Sequence, residues 1–153
     1  MYKNLSTLVI VISLLLIAAL GCSTANKDAD VDAFIAELNT TTQEIAASLD
    51  KDSSEAGIDA AQKLFDAHQA ALQAKWDTIK QLKTYEIGSD ASKRLDNCFS
   101  ANLDTVTGLK SRHAADVAAE GGAAADKWAK LFTGYAAILK PDETGTVGSK
   151  TVP

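Results

Sequence analysis

Proline is nearly absent from this chain: only Pro141 and Pro153 occur among 153 residues, both close to the C-terminus. No proline therefore interrupts a helix over the first 140 positions, where its missing donor and its ring would break one. Glycine is thin as well until Gly121-Gly122. Cysteine occurs only at Cys22 and Cys98, too few for a disulfide framework. Histidine is limited to His68 and His113, and methionine to Met1. Cys-x-x-Cys-His, Glu-x-x-His, Gly-x-Ser-x-Gly and a phosphate-binding glycine loop are all missing. Basic residues never run longer than Lys93-Arg94, and 15 of them against 20 acidic ones leave a net charge of −5. This balance argues against a nucleic-acid partner and against lying flat on anionic lipid.

The N-terminus holds the one long apolar run. Every residue from Leu8 to Leu20 is apolar except Ser13. As a helix this run is roughly 20 Å long at about 1.5 Å per residue, short of a bilayer core of about 30 Å. Its length suits the apolar region of a secretory signal peptide, with Lys3 supplying positive charge before it. Ala19-Leu20-Gly21-Cys22 then resembles the lipobox of bacterial lipoproteins, with alanine at a position that is usually leucine. The resemblance implies cleavage between Gly21 and Cys22 and a diacylglyceryl group, with further acyl chains such as palmitate, on Cys22. It also implies a partner, the lipid membrane, and a place in the cell envelope. Ser23 stands where the class carries its inner-membrane retention aspartate, so the outer membrane is expected if one exists, facing the periplasm or the cell surface. The alternative is an uncleaved short anchor in which Cys22 has no role.

The expected organisation is a signal peptide (1–21), a tether (22–29), a helical bundle (30–140) and a C-terminal tail (141–153). Cleavage leaves 14 basic and 20 acidic residues, a net charge of −6. With Cys22 lipidated, Cys98 has no partner within the chain, and stability rests on the core.

Alanine-rich composition and periodicity predict helices. Val31, Phe34, Ile35, Leu38, Ile45 and Leu49 recur at threes and fours, with Thr40-Thr41-Thr42 as a weak gap. Asp52 and Glu55 resemble a capping box for the next helix. There Ile58, Phe65, Leu72 and Ile79 are spaced by seven, beside Ala61, His68, Lys75 and Leu82. A third stripe holds Leu95, Phe99, Val106, Leu109, His113 and Val117, and a fourth runs from Trp128 to Leu139. Short connections then predict an all-α, antiparallel up-down-up-down four-helix bundle with a long central helical hairpin.

Expected lengths of roughly 20, 29, 30 and 18 residues leave the tip of that hairpin uncovered. Trp76, Ile79, Leu82, Leu95 and Phe99 at this tip become the candidate partner-binding residues. The histidines fall at different heights, about 10 Å apart along the axis, so no metal site is expected. Cys98 is expected to be a small buried residue rather than a reactive thiol. The residues thus predict a non-enzymatic, membrane-anchored bundle without a cofactor, acting as a protein-binding or structural module of the envelope. The alternative is a small-ligand, metal or haem carrier using His68 and His113 in the bundle core.

Overall fold

The computed structural model describes residues 27–82 and 86–139. The signal segment with Gly21 and Cys22, most of the tether, and the tail at 141–153 lie outside the described residues. The described residues form four helices: α1 (Asp28–Lys51), α2 (Glu55–Ile79), α3 (Ser89–Glu120) and α4 (Gly122–Leu139). None is long and apolar enough to cross a membrane among the described residues.

Local chemistry sets the helix ends. Asp28 and Asp30 lie in the first turn of α1 and Lys51 in its last, each matched to the helix dipole. The threonine gap does not break α1. Thr41 turns its hydroxyl back to donate to the Glu37 carbonyl, and the Thr42 hydroxyl lies against the Leu38 carbonyl, each at 2.8 Å. The cap of α2 is Ser54, whose Oγ accepts from the backbone N–H of Gly57 at 3.4 Å. Asp52, expected as the cap, instead accepts from the Ser54 N–H at 3.0 Å and shapes the preceding turn. Gly57 is required there, since a Cβ would fall 1.9 Å from the Asp52 carbonyl oxygen. Gly121 adopts φ 100°, which lets the chain reverse between α3 and α4 without a linker.

The chain direction alternates through the four helices, as the periodicity predicts, but the lateral order differs from the expected one. α1 packs beside both α2 and α3, and α4 also packs beside both. The central pair α2 and α3 therefore faces across the diagonal rather than forming an adjacent hairpin. Residues 80–88 are long enough to cross that diagonal, and contacts to α1 direct the crossing. The Lys27 N–H donates to the Glu86 carbonyl at 3.1 Å, and the Gly88 N–H to Asp28 Oδ1 at 2.8 Å. Arg94 forks onto Asp32, and Arg112 reaches Asp50, along the parallel α1–α3 face.

The uncovered tip also gives way to a covered one. Trp76, Ile79 and Leu95 are buried, and Leu82 and Phe99 pack partly buried against the same core. The reason is length: α1 has 24 residues and α2 has 25, so α1 runs nearly the full height of α2. Phe34 of α1 closes the level, its ring centroid 5.5 Å from Trp76 and 5.9 Å from Phe99, with Trp76 and Phe99 edge-on at 5.6 Å. These three rings fill the axis beyond the end of the shorter α4. Of the five residues expected to bind a partner, Trp76, Ile79 and Leu95 are core residues and Leu82 and Phe99 pack against that core.

Candidate functional site

The polar side chains that could carry chemistry form one buried layer and two half-exposed clusters. The layer lies midway along the bundle. Thr42 occupies the seven-residue row Ile35–Thr42–Leu49, and Asn102 the row Leu95–Asn102–Leu109, so helix periodicity carries both inward. Tyr135 enters from α4. The Thr42 hydroxyl meets both the Asn102 amide oxygen and the Tyr135 hydroxyl. The Asn102 amide nitrogen donates to Asn39 Oδ1 and to the Cys98 carbonyl, each at 2.8 Å. Cys98 Sγ lies 3.4 Å from the same Asn39 oxygen and donates to it.

Burial holds the ionisable members of the layer neutral. It pushes the Tyr135 hydroxyl up to about 12, although the bond to Thr42 opposes the shift. It also pushes the Cys98 thiol up, with a smaller opposing effect from Asn102. Because the Thr42 proton goes to the Asn102 amide oxygen, the protonated Tyr135 is the donor to Thr42, and Cys98 is a thiol rather than a nucleophilic thiolate. Such a layer holds α1, α3 and α4 in register and offers no base. The apolar seam beside it, between Ile45, Val106, Leu109 and Leu131, is too tight to admit a water molecule.

His68 sits on the α1–α2 face. Its Nδ1 lies 2.8 Å from Glu37 Oε1 and its Nε2 3.0 Å from Glu44 Oε2, while Lys75 pairs with the second oxygen of Glu37. The hydrogen bond to Glu37 raises the His68 pKa above its ordinary 6.5; burial opposes this, and Glu44 adds to it. Lys75, then His68, hold Glu37 below its ordinary value. The imidazolium is the form these contacts favour. The stability it contributes is complete below pH 6.5 and is lost as pH rises through the raised folded value. A proton NMR titration of His68 is expected to give a midpoint above 6.5, and Glu37→Gln is expected to lower it. A midpoint unmoved by Glu37→Gln would contradict the pairing.

His113 lies near the opposite end, on α3. Its Nε2 is 2.8 Å from Asp50 Oδ1, and its ring stands edge-on to Trp128 at 6.2 Å. Arg112 shares Asp50, and Asp50 is held below its ordinary pKa by His113 first and Arg112 second. Trp128 continues onto Phe132, over which Lys110 places its ammonium at 5.3 Å. The histidines take different carboxylate partners on separate faces. Among the described residues no group of three or more His, Cys, Asp or Glu side chains is arranged to hold a metal ion.

No family model, curated protein or solved structure matches this chain.

The structure brings Cys98 to Asn39 and Asn102, partners that the sequence reading did not assign to it. The polar layer itself was hidden. Its signal lay in the seven-residue rows, where Thr42 and Asn102 interrupt otherwise apolar series, and in the threonine gap of α1.

Proposed function

We propose that the protein is a lipoprotein of the cell envelope, anchored through Cys22, whose bundle serves as a non-enzymatic protein-binding or structural module. The observation that carries this reading is the position of the lipobox-like Ala19-Leu20-Gly21-Cys22, which ends six residues before α1 begins at Asp28. A cut before Cys22 would remove the apolar segment and spare every helix of the bundle. The interior supports the non-enzymatic part. Cys98 and Tyr135 are held protonated, and each histidine is paired with carboxylates. A core closed around hydrogen-bonded side chains suits a rigid module better than a carrier. His68 already uses both ring nitrogens and His113 uses Nε2; the Nδ1 of His113 is buried without a hydrogen-bond partner, but no set of further ligands gathers around it among the described residues.

The test is the intact mass of untagged protein extracted from its own membranes. The expected mass is residues 22–153 plus diacylglyceryl and acyl groups on Cys22. Retention of residues 1–21 would overturn the anchor. Additional mass seen only under native conditions would bring the carrier reading forward in place of the module.

A further inference from the structure

The anchor and the topology together fix which end of the bundle meets the bilayer, an inference that rests on lipidation of Cys22 as proposed above. Four residues lie between Cys22 and Lys27, five steps of chain with a reach of about 17 Å at full extension. Lys27 belongs to one end of the bundle, where the start of α1 and the α2–α3 crossover meet. The crossover is tied there by the Lys27 N–H to the Glu86 carbonyl and by Asp28 to the Gly88 N–H. The opposite end, with the α1–α2 turn and Gly121, lies about 36 Å away, the length of the 24-residue α1 at about 1.5 Å per residue. The tether cannot bring that end to the surface unless the bundle lies down.

Lying down has little to favour it. Leu103 is the one large hydrophobic side chain that is exposed among the described residues, so no lateral face offers an apolar patch to lipid. The two ends also differ in charge chemistry. At the crossover end the carboxylates of Asp30, Asp32 and Asp77 are paired with Lys27, Arg94 and Lys80. At the far end Asp50 and Glu55 are paired with Arg112 and Lys127, but Asp52, Asp116 and Glu120 have no lysine or arginine within ion-pair distance, and their charge is repelled by an anionic leaflet. We infer that the crossover end is the membrane-facing surface of this lipoprotein, its partner being the lipid headgroup layer, and that the acidic end around Asp52 and Glu120 is held outward.

The experiment uses the full lipidated chain, produced in a host that processes lipoproteins, in phosphatidylethanolamine–phosphatidylglycerol vesicles doped with a nickel-chelating lipid. Nitroxides are placed through Gln81→Cys at the crossover end and Ala123→Cys at the other, both at exposed positions. Cys98 stays in place because its buried thiol resists labelling, and the parent chain provides the blank. Relaxation enhancement by the nickel lipid is expected to be several-fold greater at position 81 than at position 123. Equal enhancement would mean that the bundle lies flat, and a reversed ratio that it stands inverted; either overturns the inference. The mass of the same preparation separates the two layers of the argument. A chain without diacylglyceryl defeats the anchor reading and the inference with it, whereas a lipidated chain with equal or reversed enhancement defeats the orientation alone.

Discussion

Phe34→Ala is expected to destabilise the bundle by about 3–5 kcal/mol, the cost of deleting a fully buried phenylalanine where the surroundings cannot collapse. Phe34 has no exposed surface and stands between Trp76 and Phe99. Among the described residues, only three helices enclose the axis beyond the end of α4, so no fourth helix among them is available to move into the void. Urea unfolding followed by helical circular dichroism measures the loss, and a fall in Tm of about 10 °C or more should accompany it. The result also decides between two pictures of this region. Were Trp76 and Phe99 the free tip that helix-length estimates suggest, Phe34 would have little to lose. A change below about 1 kcal/mol, the range of ordinary surface substitutions, would restore that picture.

Thr42→Val should cost nearly as much for a different reason. Valine matches threonine in shape, so no cavity forms and the effect isolates the hydrogen bonds. Both the Tyr135 hydroxyl and the Asn102 amide oxygen lose the Thr42 hydroxyl, and the adjoining seam is too tight to admit a water in its place. Each unsatisfied buried group costs about 1–3 kcal/mol, which for two places the variant at about 2–6 kcal/mol. Adding Tyr135→Phe should recover part of the loss, because it removes one of the two stranded groups. A double-mutant cycle over these positions reads the coupling directly. Additive effects across the cycle would show that the hydroxyls do not act on one another.

The helices were legible because each presents a long, single-sided apolar series, and burial of such a face is what stabilises a helix of 18 to 32 residues. The heptad row Ile58–Phe65–Leu72–Ile79 is buried throughout, as its spacing implies. Cap identity was less legible. Asp52 and Ser54 both suit the start of α2, and the close approach of Gly57 to the Asp52 carbonyl selects Ser54. The polar layer was less legible still. Thr42 and Asn102 are 60 residues apart, and a polar residue within an apolar row carries no sign of what it will meet.

Composition and periodicity alone established four helices, their alternating direction, the absence of a disulfide framework and the acidic balance, since each depends on residue type and local spacing. Lateral order was decided only when the helices packed. The linker at 80–88 permits either an adjacent or a diagonal crossing, and long-range contacts choose: Arg94 with Asp32, Gly88 with Asp28, and Asn102 with Thr42. The same choice buried Trp76 and packed Phe99 against the core. Periodicity specifies which face of a helix is apolar, but only the relative heights and neighbours of all four helices specify what covers it.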